Sequence, residues 1–241
     1  MKKVLVVGAS GATGKLLVQQ LLQQKIKVIA IVRAVSTLTK ISDDQPNLVI
    51  IRENISVMTR KDLADHIEGC DAVLSCLGHN LTFKGIFGKP RLLVTDTIEK
   101  ISRTIESIDA GKTVKIILMN TTGNSNRDTP EQPPLSQRCV ISLLRLLLPP
   151  HVDNEKAADF LRSHIGQTHK CIEWVVVRPD GLTNEKNISA YDIYPSPIRN
   201  PIFDAGQTSR INVANFMSNL VIDSDLWNTW KGKMPVIYNQ T

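Results

Sequence analysis

Three glycines stand close together near the amino end, in the segment VLVVGASGATGKLLVQQLL. They lie where an apolar, strand-like run gives way to helical spacing. So tight a turn favours residues without a Cβ, and a backbone that phosphates approach closely has no room for side chains. The amide groups at the start of the helix would point at the anion, aided by the helix dipole. We therefore predict a diphosphate site here, with a purely structural glycine turn as the alternative. The residues predicted to form it are Gly8, Ser10, Gly11, Ala12, Thr13 and Gly14.

The end of the second apolar run indicates which dinucleotide the turn would bind. A carboxylate at this position would hydrogen-bond the ribose diol of NAD, whereas an arginine accommodates the 2′-phosphate of NADP. The segment IAIVRAVS places Arg33 there, and no acidic residue follows until Asp43. An arginine fork on a phosphate is a strong, charge-assisted contact. We therefore expect NADP(H) to be preferred over NAD(H); the alternative is that Arg33 is a solvated surface residue.

Few other side chains in the sequence have the pattern of a reactive site. His79 follows the strand-like run DAVLSCL, which makes it the histidine best placed for proton transfer or stacking. No His, Cys, Asp or Glu cluster has the spacing of metal ligands, so no metal is expected. No G-x-S-x-G segment indicates a hydrolase.

Strand-like and helix-like segments alternate along the chain and must position these residues. The strand-like runs are Lys3–Val7, Val28–Val32, Asn47–Ile51, Asp71–Leu77, Val114–Met119, Trp174–Val177 and Met234–Tyr238. The main helix-like segments are Thr13–Gln24, Thr95–Ala110, Asp153–Ile165 and Val213–Ile222. Strands that are apolar on both faces are typical of a parallel sheet covered by helices on both sides. We predict an α/β fold with a doubly wound parallel sheet of the Rossmann type, in a single domain over residues 1–241.

Two polar stretches interrupt the alternation, and both follow strands late in the chain. They are Gly123–Gln137 and Arg178–Gln207. Because an open sheet binds its ligand at the carboxyl ends of the strands, we predict that these small insertions line the substrate. Between them, Val140–Leu148 is apolar nearly all round. This segment either packs on the body of the protein or contacts a second copy, a protein partner or a membrane.

The bulk composition narrows the class of ligand. The formal net charge is +6, but the basic residues are spread along the chain without a basic run, so nucleic-acid binding is not expected. A positive potential still favours a small anionic ligand. No apolar stretch approaches the roughly 20 residues that cross a bilayer, and no signal peptide is evident. The 4 cysteines form no C-x-x-C pair, which is typical of free thiols in the cytoplasm.

Four segments, VVGASGATG, GCDAVLSCLG, EWVVVRPDGLTN and SRINVANFM, together resemble the atypical short-chain dehydrogenase/reductase superfamily. The resemblance covers nearly the whole chain. It is greatest to an NAD(P)H-binding branch that includes biliverdin-IXβ reductases, flavin reductases and nitrogen-metabolite-repression regulators. It implies that the glycine turn and Arg33 hold the adenine-side phosphates. It implies that Leu77, Gly78 and His79 line the middle of the cofactor. At the nicotinamide end it implies Asn120, Thr121, Thr122 and Gly123, bordered by Pro179, Asp180 and Gly181.

The chain also departs from what this resemblance implies. Dehydrogenases of the superfamily use a Tyr-x-x-x-Lys pair, in which the lysine lowers the pKa of a tyrosine that exchanges a proton with the substrate. The corresponding segment, HVDNEKAADFL, offers Lys156, but Val152 stands in the place of the tyrosine. Gly181 likewise stands where the biliverdin-IXβ enzyme has a histidine. Alcohol–ketone chemistry by the usual proton relay is therefore not expected.

Hydride transfer to a flavin, a quinone or a tetrapyrrole needs no such relay, because the charge spreads over a conjugated ring. The leading hypothesis is an NADPH-dependent oxidoreductase with a planar conjugated acceptor. Thr121 or Thr122 would donate a hydrogen bond and Lys156 would contact a ribose hydroxyl; strand-end capping and a solvated lysine are the alternatives. A second hypothesis is a non-catalytic NADP(H)-binding sensor or scaffold that uses Val140–Leu148. A nucleotide-sugar epimerase is the third.

Overall fold

A sheet with helices on both faces organises the chain. In this computed structural model, residues 1–33, 45–79, 88–108, 111–129, 131 and 135–240 are described, the side chains of residues 135, 137–139, 144 and 146 excepted. Asp43 and part of the stretch Gly123–Gln137, which enter the predictions above, lie outside these residues.

Most of the strands join one large sheet. Within the described residues the strands are β1 (Lys3–Val7), β2 (Lys27–Val32), β3 (Leu48–Arg52), β4 (Ala72–Ser75), β5 (Val114–Met119), β6 (Ile172–Pro179), β7 (Gly181–Thr183), β8 (Tyr191–Tyr194), β9 (Gln207–Ser209) and β10 (Val236–Asn239). The order in the large sheet is β3-β2-β1-β4-β5-β6-β10-β8. Its neighbours pair in parallel, except that β8 runs antiparallel to β10. The short strands β7 and β9 pair with each other in parallel.

Helices cover both faces of this sheet. Within the described residues they are α1 (Ala12–Gln23), α2 (Arg60–Ile67), α3 (Leu93–Ser107), α4 (Leu135–Leu147), α5 (Pro149–Asp159), α6 (Arg210–Ile222) and α7 (Ser224–Trp230). A π-helical turn, Phe160–Ile165, continues α5. Of the helices in the described ranges, none combines the length and the apolar character needed to span a bilayer.

Alternate residues of β1 belong to the two halves of the core. Val4 and Val6 lie in a cluster with residues of α1, α6 and α7. Leu5 and Val7 lie in a second cluster with residues of α2, α3 and α5. All four side chains are fully buried, which explains why residues 4–7 of the strand are all apolar. The predicted α/β fold with a doubly wound sheet is therefore confirmed.

The stretch Arg178–Gln207 contains more regular structure than a loop. It holds β7 and the antiparallel edge strand β8, and it ends at the start of β9. All four residues of β8 are half-buried, and this short segment lacks the buried apolar run that marks the central strands. The strand β8 and its antiparallel pairing with β10 were therefore not predicted.

Several element boundaries also differ from the prediction. The helix predicted from Asp153 begins at Pro149, because proline is accommodated in the first turn of a helix. The strand predicted as Asp71–Leu77 ends at Ser75. The helix α7 was not predicted; it is short and is capped by the side chain of Asp223.

The strand order reverses between β1 and β4. The strands β2 and β3 are added on one side of β1, and β4 lies on its other side. At such a point the helices diverge to opposite faces and leave a crevice beyond the carboxyl ends of the strands. The residues that follow these ends are Gly8 after β1, Arg33 after β2, Cys76 to His79 after β4, Asn120 after β5 and Asp180 after β6.

Candidate functional site

The turn between β1 and α1 depends on two glycines that pack closely against other backbone. Gly8 has φ +73°, and a Cβ there would lie 2.6 Å from the carbonyl carbon of Cys76. A Cβ on Gly14 would lie 2.2 Å from the carbonyl oxygen of Gly8. Because no Cβ could be accommodated at either distance, these glycines allow α1 and the end of β4 to approach the turn.

Gly11 has a different role, because it is exposed at the N-terminus of α1. It precedes the helix in an extended conformation and has no side chain with which to cap it, and the first turn contains no acidic residue. The amide groups of that turn are therefore open to an anion. Ala12 is also exposed, whereas Ser10 is half-buried and Thr13 is buried.

A cleft of about 180 Å³ lies between this turn and the ends of β2 and β4. Its walls include Gly11, Arg33, Leu77 and Gly78. A Cβ added to Gly78 would meet no atom within 4 Å, so packing among the described residues does not require a glycine there. Arg33 is exposed at the end of β2. The cleft thus combines an open helix N-terminus with a cation, which are the groups that a dinucleotide phosphate requires.

The N-terminus of α3 also faces the cleft, through Leu93, but two amide groups of its first turn are already bound. Asp153, on α5, accepts hydrogen bonds from the backbone N–H of Val94 and of Thr95, both at 2.8 Å. The Thr95 hydroxyl donates to the same carboxylate at 2.7 Å. The Asp153 side chain is fully buried. An anion entering the cleft therefore finds open helix amides at α1, since at α3 a carboxylate of the protein already occupies them.

His79 is bound to this same carboxylate. Its Nε2 lies 2.7 Å from Asp153 Oδ2, and the His79 side chain is 5% exposed. Because that oxygen also accepts from Val94, we assign an N–H to Nε2. The carboxylate thereby fixes the orientation of the imidazole beside Gly78. Sequence reasoning selected His79 but missed Asp153, whose partners lie 58 to 74 residues away in the chain.

At the end of β5, the side chains of the predicted site residues Asn120 and Thr122 form hydrogen bonds with other parts of the protein. The Asn120 side chain donates to the carbonyl of Asn154 at 2.9 Å and accepts from the amide of Thr121 at 2.9 Å. The Thr122 hydroxyl is buried and donates to Asp180 Oδ1 at 3.0 Å. Thr121 is half-buried, and its hydroxyl accepts from the amide of Gly123 at 3.2 Å, a bond that does not use the hydroxyl hydrogen.

The turn after β6 lies beside this segment. The carbonyl of Pro179 accepts from the amide of Thr122 at 3.1 Å. Asp180 Oδ2 accepts from the amide of Gly206 at 2.8 Å, and the amide of Gly181 donates to the carbonyl of Gly206. Gly181 itself is exposed. The structure therefore brings Pro179 to Gly181 next to the threonines, as the resemblance implied.

Lys156 is exposed on α5, and its charge acts on the carboxyl of Asp96 in α3. The pKa of Asp96 is nevertheless raised, because burial and the neighbouring charge of Asp153 outweigh the lysine. The chain has 3 tyrosines, two on β8 and one on β10. Lys156 therefore has no tyrosine beside it on α5 or at the end of β5.

A buried arginine that sequence reasoning missed anchors the loop after β5. Arg178 is fully buried, and its Nη2 donates to Glu131 Oε1 at 2.7 Å. Its Nη1 donates to the carbonyl of Asn124 at 2.8 Å, and its Nε donates to the carbonyl of Met234 at 2.7 Å. The only signal in the sequence is an arginine directly after the apolar run Trp174–Val177.

The described residues offer neither a metal site nor an activated thiol. They contain no group of three or more His, Cys, Asp or Glu that could hold a metal ion. Burial raises the pKa of the Cys76 thiol, which lines the cleft, to about 12. Burial likewise raises the pKa of Cys70 to about 11. Both thiols are therefore protonated and poor nucleophiles at neutral pH.

Known protein families and solved structures include some that are similar to this chain. The model of a family described as NAD(P)H-binding matches residues 8–224. A search of curated proteins finds no match. Among solved structures, the chain is similar to a protein named as an NADH-flavin reductase from Streptococcus pneumoniae TIGR4, with 17% identity, 100% of both chains covered and a TM-score of 0.66.

Two further solved structures have the same fold. One is a short-chain dehydrogenase/reductase from Veillonella parvula DSM 2008 in complex with NADP, with 15% identity, 99% of this chain and 94% of that chain covered and a TM-score of 0.66. The other is the anaerobilin reductase ChuY from Escherichia coli O157:H7, with 16% identity, coverage of 99% and 97% and a TM-score of 0.67. At these identities the likeness shows the fold alone.

Proposed function

Because the chain belongs to the NAD(P)H-binding family, we propose that it is an oxidoreductase that uses NADPH to reduce a planar conjugated acceptor. One observation carries the proposal. The N-terminus of α1 is open and uncapped, and it shares a cleft with Arg33, whereas a carboxylate of the protein fills the N-terminus of α3. A diphosphate would complete the hydrogen bonds of α1, and the arginine would match a further phosphate.

The positions of the other site residues support an extended cofactor along the carboxyl ends of the strands. The diphosphate would lie over Gly11 and Ala12, with the adenosine toward Arg33. The nicotinamide would lie toward Thr121 and the turn at Pro179 to Gly181. Bound NADPH would supply the hydride. The residues of the chain would position the ring, and Thr121 would donate a hydrogen bond with its hydroxyl hydrogen.

The acceptor class follows from the groups at the end of β5 and on α5. Neither place has a tyrosine, and Lys156 is exposed, so a strong positioned acid for an alcohol or ketone is lacking there. A conjugated ring spreads the arriving charge and depends less on such an acid. His79, held by Asp153, would keep a proton near the cleft for the acceptor.

The test is the oxidation of NADPH with a panel of a flavin, a quinone and a linear tetrapyrrole, followed at the absorbance of the reduced nicotinamide. We expect turnover with at least one of the three. Binding of NADPH without turnover on any of them would contradict the proposed activity.

The preference for NADPH is tested separately with Arg33→Asp. We expect this variant to lose its preference for NADPH over NADH, because a carboxylate repels the 2′-phosphate and accepts from the ribose diol. Lys25→Asp is the matched control, since it makes the same change of charge at an exposed residue before the opposite end of β2. An unchanged preference in Arg33→Asp would show that Arg33 is only a surface charge.

A non-catalytic sensor or scaffold is the second candidate, and the surface of α4 favours it. Leu143 and Leu147, one helical turn apart within Val140–Leu148, are 53% and 52% exposed. Exposed leucines on one face suit a second copy or a protein partner. The sensor hypothesis predicts that NADPH changes the sedimentation coefficient without turnover. A nucleotide-sugar epimerase is disfavoured by the missing tyrosine, and conversion of a UDP-sugar would revive it.

A further inference from the structure

A half-buried lysine lies at the end of the sheet opposite the dinucleotide cleft. Lys115 is the second residue of β5, whereas the cleft lies beyond the carboxyl ends of the parallel strands. Its Nζ lies 4.3 Å from the ring centroid of Trp227, which belongs to α7. The same Nζ donates to the carbonyl of Leu220, near the end of α6, at 3.2 Å.

The number of carbonyl acceptors distinguishes Lys115 from a second half-buried lysine. Lys100, on α3, donates to three carbonyls of the turn before α2, which uses all three hydrogens of a protonated amine. Lys115 has one such acceptor among the described residues. Because a neutral amine can donate to that single carbonyl, its lone pair would remain available to an electrophile.

The carboxylates near Lys115 are bound to other groups. Lys115 makes no ion pair with a described residue, although Glu173, Asp71 and Asp223 act on it from a greater distance. Asp71 and Glu173 form ion pairs of 2.7 and 3.1 Å with other lysines. Asp223 accepts from two amides at the start of α7. The positive charge of Lys115 is therefore poorly compensated.

A second cation lies beside this amine. The Nζ of Lys2 donates to the carbonyls of Val221 and Ile222, next to the carbonyl that binds Lys115. Burial, and then the charge of Lys2, lower the pKa of Lys115 from 10.5 to about 8, although the three carboxylates oppose this. At pH 8 about half of the Lys115 amines are therefore neutral, and the neutral amine is the nucleophilic form.

The ring of Trp227 provides an apolar surface beside the amine. The residue is 3% exposed, and its Nε1 donates to Glu173, which fixes the ring. A short acyl group on the nitrogen of Lys115 would pack against this ring. An acyl group that carries a negative charge would meet Glu173 and the other carboxylates, so an uncharged one is favoured.

We propose that Lys115 is a modification site, at which the amine attacks a thioester that carries a short, uncharged acyl group such as acetyl. The nitrogen forms a bond to the acyl carbon, the carbon–sulfur bond breaks, and the leaving sulfur takes up a proton from the nitrogen. The resulting amide keeps one N–H for the carbonyl of Leu220 and no longer repels Lys2. The site is remote from the dinucleotide cleft, so the proposal does not depend on the proposed reductase activity.

The probe is S-acetyl-N-acetylcysteamine, a small thioester without the phosphates that the dinucleotide cleft would attract. It is incubated with the full chain between pH 7 and pH 10, and acetylation of each lysine is followed by peptide mass spectrometry. At pH 8 we expect Lys115 to react about tenfold faster than Lys112 and Lys231, which are held in ion pairs. The rate at Lys115 should level off above its pKa, whereas the other two rates keep rising. In protein unfolded by urea the three rates should become similar.

Two variants should shift the reactivity of Lys115 in opposite directions. Lys2→Met removes the neighbouring cation, so the pKa of Lys115 rises and its acetylation at pH 8 should slow about threefold. Glu173→Gln removes an opposing carboxylate and keeps an acceptor for Trp227, so acetylation at pH 7 should become faster. A general loosening of the fold would not produce both effects. The matched control is Lys3→Met, whose amine binds a carbonyl at the end of α2 instead; it should leave the rate unchanged.

Two results would overturn the proposal. One is acetylation of Lys115 in the folded protein at pH 8 that is no faster than that of Lys112 and Lys231. The other is a rate at Lys115 that does not change in opposite directions in Lys2→Met and Glu173→Gln. Absence of NADPH turnover would refute the reductase proposal alone, because the acetylation needs neither the cofactor nor its acceptor.

Discussion

At the scale of single residues, Asp153 has the most demanding environment near the cleft. Its carboxylate is fully buried and accepts from two helix amides, a hydroxyl and His79. An asparagine at this position would have one acceptor oxygen, and its NH₂ group would face some of the donors that now bind the second carboxylate oxygen. We expect Asp153→Asn to lower the free energy of unfolding by about 2–4 kcal/mol in urea titrations. Asp225→Asn, at an exposed position, should change it by less than about 0.5 kcal/mol. An equal effect of the two substitutions would contradict this assignment.

Some residues of the candidate site could be predicted from the sequence and others could not, for a physical reason. The glycine turn and Arg33 are local features, because strand, turn and helix follow one another directly. Asp153 and Arg178 act through partners that are distant in the sequence, and nothing beside them in the chain reveals those partners. For Thr122 and Asn120 the position was predictable, whereas their hydrogen bonds to the protein itself depend on how two loops meet.

At the scale of elements, the same substitution should have opposite effects at two glycines beside the cleft, Gly14 in α1 and Gly78 after β4. Gly14→Ala should destabilise the protein by more than about 2 kcal/mol, since its Cβ would overlap the carbonyl oxygen of Gly8. Gly78→Ala should leave the melting temperature unchanged, because its Cβ meets no atom of the described residues within 4 Å, yet weaken NADPH binding about tenfold by intruding on the cleft. Calorimetric titration and thermal melts measure both. Full NADPH affinity in Gly78→Ala would show that the cofactor does not approach this residue.

The contact between α4 and α5 predicts a dependence of stability on pH. Glu155 binds Arg145 of α4 through two hydrogen bonds of 2.8 Å, and His151 lies 3.5 Å from it. Burial raises the pKa of Glu155, but the interactions with His151 and Arg145 outweigh it and lower the pKa from 4.5 to about 2. A lowered pKa in the folded state stabilises the protein above pH 4.5, and this contribution is lost as the pH falls toward 2.

Glu155→Gln should therefore reduce the free energy of unfolding by about 1–2 kcal/mol near neutral pH, a figure that allows for screening by solvent. The curves of the variant and the wild type should converge as the pH falls. Urea unfolding at several pH values measures this. Glu99→Gln is the control, since its pair with Arg103 is largely exposed. Parallel curves for wild type and Glu155→Gln would contradict the lowered pKa.

Elements whose two faces are buried were readable from the sequence, and those at the edge were not. The strands β1, β2 and β5 each have one lysine and are otherwise apolar, because helices cover both sides. By contrast, β8 is half-buried along its length, and its pairing with β10 was not evident before both were placed. The cavity between these two strands was missed for the same reason, since Tyr194 and Tyr238 in its wall are far apart in the sequence.

At the scale of the whole molecule, the net charge of +6 and the exposure of Arg33 predict how salt affects the cofactor. NADPH carries one more phosphate than NADH, so attraction to a positive protein contributes more to its binding. The screening length falls from about 30 Å at 0.01 M salt to about 10 Å at 0.1 M and about 3 Å at 1 M. We expect the KM for NADPH to rise several-fold over this range, and the KM for NADH to rise less. In Arg33→Asp the two slopes should become similar, whereas Lys25→Asp should retain most of the difference. Equal slopes in the wild type would mean that the 2′-phosphate lies away from any cation of this chain.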